Sequence, residues 1–217
     1  MTTYTIITQQ GRTELATLSG QNYQLQVAKS VSSPSGQPSF NMVYQSQFLG
    51  PNMEVQWTTT YGLNWTTNIP SAGSTVVYSG DWQQCNLGDS YDLNSVGEWV
   101  PNQNNPNSKS NSLNIGKNNY QEAVNVIVGV QDASTGHWKP IWVSPDQLLK
   151  QSNGEYEPLQ AIQLWYAEGT QTSTMISAQA TAVQGYTATS SNPEYFSFDV
   201  AAGNWRESQA TPFQGLP

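Results

Sequence analysis

The chain has 217 residues and a formal net charge of −8, with 7 Lys and Arg against 15 Asp and Glu, and only 10% of its residues are charged. Ordinary globular domains are about 25% charged. So few cations cannot neutralise a run of phosphates, which excludes nucleic acid as a partner. No apolar run approaches the length of a bilayer span, so the sequence predicts no transmembrane segment.

The cysteine content and the first residues together indicate the cellular compartment. Cys85 has no second thiol with which to form an intramolecular disulfide. The first residues, MTTYTIIT, contain neither the basic nor the apolar region of a signal peptide. Both features are typical of proteins of the reducing cytosol. We therefore expect a cytoplasmic protein.

Apolar and polar residues alternate with a period of two along most of the chain, which predicts half-buried antiparallel strands. Gly, Pro, Asn and Ser separate these segments at short intervals. The predicted strands, in chain order, are 4–8, 23–27, 40–48, 53–57, 75–78, 124–130, 138–143, 162–166, 172–178 and 196–200. The pattern predicts an all-β fold, an antiparallel sandwich of two sheets, formed by residues 1–217 as a single domain.

At most one or two short helices are expected, and the sequence places one at 145–150. Ser144 would be its N-cap and Pro145 its first helical residue. Asp146 would complement the helix dipole.

Two segments allow alternative interpretations. If residues 57–65 form one continuous strand, Trp57, Tyr61 and Trp65 share a face. The segment 101–119 is rich in Asn and Ser, which favours a mobile surface loop over a ligand-binding loop.

A weak internal similarity suggests two related halves. Val27 and Ile127, Gly36 and Gly136, and Val43 and Val143 match at an offset of 100 residues. The corresponding blocks are 20–67 and 120–178. Chance similarity between β-hairpins is the alternative.

The composition also limits the chemistry. One His and one Cys cannot form a transition-metal site, and no cofactor-binding motif is present, so we expect neither metal nor cofactor. The acidic segment 88–94 departs from the EF-hand pattern, which leaves calcium in a β loop as an alternative.

We predict no catalytic residue. Paired carboxylates are the remaining enzymatic option, and the candidates are Glu54, Asp81, Asp89, Asp92, Glu98 and Glu168.

Aromatic residues give the functional prediction. Most of the eight Trp are expected in the core. In the segment 80–99, however, aromatic rings lie among short polar side chains. Sugars are recognised by this combination, because the ring stacks on the sugar face while planar polar groups bind the hydroxyls. The predicted ligand-binding residues are Asp81, Trp82, Asp89, Tyr91, Asp92 and Asn94, with Trp82 or Tyr91 as the stacking ring.

A composition poor in Cys and rich in Thr, Asn and Gly resembles that of the small cytosolic lectins of fungi, which also lack signal peptides. The resemblance implies a non-catalytic, carbohydrate-binding and defensive protein whose ligand is a neutral polar molecule such as a glycan. It assigns no residue a role. The alternatives are a self-assembling or membrane-acting, toxin-like β protein, and a small-molecule binder or carboxylate enzyme on a β scaffold. Assembly into a homo-oligomer is left open.

Overall fold

The computed structural model describes residues 2–34, 36–132, 135–169, 172–189 and 192–208, and it confirms the all-β prediction with a sandwich-like fold. One helix, α1 (Arg12–Gly20), is present in these residues. The strands are β1 (Thr3–Gln9), β2 (Tyr23–Ser32), β3 (Met42–Val43), β4 (Gln45–Gln47), β5 (Asn52–Thr58), β6 (Tyr61–Thr66), β7 (Gln83–Cys85), β8 (Ser90–Leu93), β9 (Trp99–Pro101), β10 (Leu113–Asn118), β11 (Asn125–Gln131), β12 (Trp138–Val143), β13 (Gly154–Glu168), β14 (Thr174–Met175), β15 (Gln184–Thr187), β16 (Glu194–Asp199) and β17 (Asn204–Glu207).

Three sheets contain most of the strands. The first has the order β17-β16-β1-β5, and the third has the order β12-β11-β6-β7. The second has the order β4-β2-β13-β10-β8-β9, with β15 also paired to β13, and β14 pairs with β3 alone. Two pairs, β1 with β16 and β8 with β10, are parallel. They depart from the purely antiparallel prediction because alternation determines which face is buried, not the direction of the neighbouring strand.

A single large hydrophobic cluster connects the three sheets. It contains Ile6 of β1, Val27 of β2 and Val128 of β11. Alternation identified its inward faces correctly: in β5, Met53 and Val55 are buried while the residues between and beside them are exposed. Five of the eight Trp are buried, as expected for core residues: Trp57, Trp65, Trp99, Trp142 and Trp165.

The helix prediction at 145–150 is wrong. Leu148 instead forms an antiparallel bridge with Val124, through main-chain hydrogen bonds of 3.1 and 2.7 Å. This pairing uses the backbone groups that a helix would need. The helix that does form, α1, has nine residues and buries only Leu18, so it shows no apolar periodicity. No helix in the described parts of the chain is long and apolar enough to cross a bilayer.

Several predicted segments are shorter or divided. Residues 57–65 are not one strand, because β5 ends at Thr58 and belongs to the first sheet, while β6 begins at Tyr61 in the third. The end of segment 101–119 is strand β10, between β8 and β13, rather than loop. Segment 75–78 contributes only a bridge at Thr75, and segment 172–178 only the two residues of β14.

Candidate functional site

Trp82 lies on the outer face of the third sheet, between two other aromatic rings. Its indole stacks on Trp138, with ring centres 5.4 Å apart, and meets Tyr78 edge-on at 5.5 Å. A β-carbon at Gly129 would lie 2.5 Å from the indole, so the ring rests directly on the backbone of β11. These contacts fasten the segment before β7 to the sheet. Asp81, the preceding residue, is exposed.

Asp89 and Tyr91 line a surface depression of about 460 Å³, here called the β8 depression. Tyr91 and Pro101 are direct partners across β8 and β9 and give it an apolar floor. Asn102 and Asn105 contribute polar groups from the following loop. The Tyr91 hydroxyl donates to the main-chain oxygen of Gln84 at 3.3 Å. Burial raises the pKa of Tyr91 to about 12.

Asp92 and Asn94 make hydrogen bonds that stabilise the loop and the turn beside the β8 depression. An oxygen of Asp92 accepts a 2.9 Å hydrogen bond from the Asn102 amide. The side-chain oxygen of Asn94 accepts from the main-chain N–H groups of Val96 and Glu98, at 3.0 and 2.9 Å, and so closes the turn between β8 and β9. Of the six predicted residues, the structure therefore gathers four around β8, while Asp81 and Trp82 lie on the third sheet.

A second concavity, of about 270 Å³, lies at the edge strand β5 of the first sheet, where strands of the other two sheets meet it. It is called the Trp57 pocket. Its residues are Thr3, Tyr44, Gln45, Glu54, Gln56, Trp57, Thr58, Gln131 and Asp132.

Strand pairing brings these distant residues together. Thr3 of β1 lies directly opposite Thr58 of β5. The Thr58 hydroxyl donates to the main-chain oxygen of Gln131 at 3.2 Å and so joins the end of β11 to β5. The Tyr44 hydroxyl donates to the main-chain oxygen of Gln56 at 3.1 Å and brings the start of β4 to the same place.

The polar groups of the Trp57 pocket are partly committed to one another. The Gln56 amide donates to the Glu54 carboxylate. Asp132 forms a 2.5 Å ion pair with Lys139, whose Nζ lies 5.9 Å from the centre of the Tyr44 ring. The half-buried amide of Gln45 makes no side-chain hydrogen bond within the described residues, so it is available to a ligand.

Trp57 forms the buried floor of the pocket and is held from several sides. Its Nε1 donates to Gln160 at 2.9 Å, and the Gln160 amide donates to the Tyr61 hydroxyl at 2.6 Å. Tyr4 stacks on the indole with ring centres 5.6 Å apart. Nζ of Lys29 lies 4.5 Å from the centre of the Trp57 ring.

Burial is the main cause of the pKa shifts around the Trp57 pocket. It raises the pKa of Tyr61 to about 12, and it raises the pKa of Tyr44, with a further contribution from Asp132. Burial also lowers the pKa of Lys29 to about 7. The tyrosines are therefore uncharged hydrogen-bonding groups at neutral pH, and perturbed titratable groups beside a pocket are a feature of functional sites.

No protein-family model, curated protein or solved structure matches this chain. Within the described ranges, no group of three or more His, Cys, Asp or Glu could hold a metal ion. Both concavities present amides, hydroxyls and carboxylates beside aromatic rings.

Sequence reasoning missed the Trp57 pocket. Most tryptophans were expected in the core, and Glu54 was named only among the candidate carboxylates. One signal for the pocket was present in the sequence. The alternating pattern of β5 predicts that Glu54 and Gln56 point outward, next to Trp57 in the same strand. Their convergence with Gln45 and Gln131 depends on how three sheets meet, and spacing along the chain does not contain that information.

Proposed function

We propose that this protein binds a neutral, hydroxyl-rich ligand, and specifically a glycan, in the Trp57 pocket without transforming it. The observation that supports the proposal is the convergence of planar polar side chains on an aromatic floor. Gln45, Gln56, Gln131 and Glu54 line the pocket together with the buried Trp57, and the Gln131 amide donates to the main-chain oxygen of Gly136 at 3.0 Å.

This arrangement matches the chemistry of a sugar. Each amide presents a donor and an acceptor in one plane, and neighbouring hydroxyls can use both. The buried indole of Trp57 forms an apolar base to the pocket, with the polar side chains beside it. A volume of about 270 Å³ lies just below the usual range of ligand pockets, about 300–1,000 Å³, which suits a single sugar unit at the end of a chain.

A glycan array followed by isothermal titration of the glycans it retains tests the proposal. Gln45→Ala removes an amide without a protein partner, so it should weaken binding roughly threefold to tenfold and leave the fold intact. The matched control is Gln84→Ala, at an exposed glutamine outside both concavities, which should bind like the wild type. Unchanged affinity in Gln45→Ala would reject the Trp57 pocket, and release of sugar products during titration would reject a non-catalytic role.

The β8 depression is the second candidate position for the same function. It contains Asp89 and Tyr91 of the predicted set, with Asn102 and Asn105 opposite them. Gln103 is exposed on its rim, so Gln103→Ala is the counterpart of Gln45→Ala. Loss of affinity in Gln103→Ala with full affinity in Gln45→Ala would place the glycan at β8.

We also propose that the protein works in the cytosol, since its one thiol, Cys85, is buried rather than placed for an intermolecular disulfide. Self-association is part of the same proposal, because several copies would bind a branched glycan with greater avidity. Light scattering after size-exclusion chromatography measures the number of copies directly.

A further inference from the structure

Lys29 occupies a core position that packing alone does not explain. It lies in the middle of β2, and Val27 and Val31, on the same face of that strand, belong to the main hydrophobic cluster. The whole residue is buried, with 0% of its surface exposed, and its Nζ has no hydrogen-bond partner among the described residues. Three ion pairs join described residues, and none includes Lys29. An apolar side chain would fill this site without the cost of a buried amine.

The one polar interaction of the amine in the described structure is with Trp57. Nζ lies 4.5 Å from the centre of the indole, within the range of a cation–π contact. Trp57 also lines the pocket, so the amine contacts a residue that borders the place where a ligand would bind. The Gln160 hydrogen bond and the Tyr4 stack hold the ring in this position.

We propose that Lys29 is a positioning residue for the Trp57 pocket: when its amine takes up a proton, the indole shifts toward the pocket, and the pocket binds its ligand more weakly. The statement about affinity rests on the proposed function. The movement of Trp57 does not, and it can be measured without a ligand.

The physical reason is the solvation of the ammonium group. A charged amine needs water or hydrogen-bond acceptors, and the buried site offers only the face of an indole. The cation–π attraction of the indole is weaker than the cost of keeping a charge out of water. We therefore expect the ring to move toward the pocket that it lines and to admit water to the amine. Burial lowers the pKa of Lys29 to about 7, which puts this change within the physiological range.

Several other titratable groups lie around Trp57 and its pocket. The tyrosines around Trp57 are Tyr4 on β1, Tyr44 before β4 and Tyr61 on β6, and the pocket adds Glu54 on β5, Asp132 after β11 and Lys139 on β12. Burial raises the pKa of Tyr44 and Tyr61, so both stay neutral far above pH 7. The shift of Lys29 has burial as its one cause, with no contribution from a charged neighbour.

The first test needs no variant. The wild-type protein is labelled with carbon-13 at lysine Cε, and the resonances are followed from about pH 5.5 to about pH 11. We expect one resonance, that of Lys29, to titrate near neutrality. If no lysine resonance titrates near neutrality, the amine of Lys29 does not change its charge in the physiological range and the proposal is wrong.

The second test follows the indole. Protein labelled with fluorotryptophan gives one resonance for each tryptophan, and Trp57→Phe assigns that of Trp57. We expect this resonance to move between about pH 6 and about pH 8 in the wild type and in the control Lys117→Met, since Lys117 is exposed on β10. In Lys29→Met, which replaces the amine with an apolar chain of similar length, it should not move. An equal movement in Lys29→Met would show that another group drives it.

The third test measures affinity by titrating chitobiose, lactose and maltose at about pH 6 and about pH 8. For any sugar that binds, we expect an affinity roughly threefold or more lower at the acidic pH in the wild type and equal affinities in Lys29→Met. If no sugar binds but Trp57 still titrates, the glycan function fails while the positioning role stands. If a sugar binds with the same pH dependence in both proteins, the link between Lys29 and the pocket is wrong.

Discussion

Gly62 and Gly129 face each other across strands β6 and β11, and an indole lies on each of them. Trp138 covers Gly62 and Trp82 covers Gly129, and the two rings stack with their planes 15° apart. The missing side chains create a notch in the sheet surface that accepts both rings. Trp82 thereby brings the segment before β7 against the third sheet.

The glycine pair should tolerate no side chain. A β-carbon at Gly62 would lie 2.7 Å from the Trp138 ring, and one at Gly129 would lie 2.5 Å from the Trp82 ring. We expect Gly62→Ala and Gly129→Ala to lower the free energy of unfolding by about 1–3 kcal/mol each, measured by urea denaturation. The control is Gly185→Ala, in a strand where a β-carbon meets nothing within 4 Å. A neutral Gly129→Ala would mean that Trp82 is not seated on the sheet.

Trp82→Ala separates a packing role from a stacking role. Because the ring contacts Trp138, Tyr78 and the backbone at Gly129, we expect a loss of about 3 kcal/mol in stability, seen as a lower Tm. The neighbouring Asp81→Ala, at an exposed position, should stay within about 0.5 kcal/mol of the wild type. A Trp82→Ala protein with an unchanged Tm and lost glycan binding would instead establish Trp82 as the stacking ring.

The buried amine of Lys29 should make stability depend on pH. Its pKa is 10.5 in an ordinary environment and about 7 in the folded protein, so between these values the unfolded chain holds a proton that the folded chain has released. The free energy of unfolding should therefore rise as the pH increases from about 7 toward about 10. Below pH 7 both states are protonated and the folded state carries the full cost of the buried charge.

Lys29→Met isolates this contribution from the buried tyrosines, which act in the opposite direction. The pKa of Tyr61 is raised to about 12, so its contribution is lost only as the pH rises above about 10. Denaturation at about pH 6, pH 7.5 and pH 9 should find Lys29→Met more stable by on the order of 4 kcal/mol at the acidic end. The difference between the two proteins should shrink as the pH increases. A constant difference would mean that Lys29 keeps its charge on folding.

Cys85 should be unreactive in the folded protein. The residue is buried, its Sγ donates to the main-chain oxygen of Gln83 at 3.2 Å, and burial raises the pKa of the thiol to about 12. Since the thiolate is the reactive form, we expect alkylation by iodoacetamide at about pH 8 to be at least ~1000-fold slower than in urea-unfolded protein. Mass spectrometry of the alkylated protein measures both rates, with Cys85→Ala as the unlabelled control. Rapid and complete alkylation of the folded protein would contradict the buried thiol.

The sequence by itself determined the fold class and the faces of the strands. In β5, Met53 and Val55 point inward and Glu54 and Gln56 outward, as their alternation predicts. This information is local, because successive side chains of any strand point to opposite faces whatever lies beside it. The burial of most tryptophans follows similarly from their large apolar area.

The tertiary structure alone decided which segments became neighbours. Local signals favoured a helix around Leu148, yet its bridge to Val124, from a distant part of the chain, prevailed. The Trp57 pocket depends on the same kind of long-range pairing, because Gln45, Glu54 and Gln131 come from strands of three different sheets. Such contacts form only when the whole core is assembled, and their energy outweighs the small local preferences that can be read along the chain.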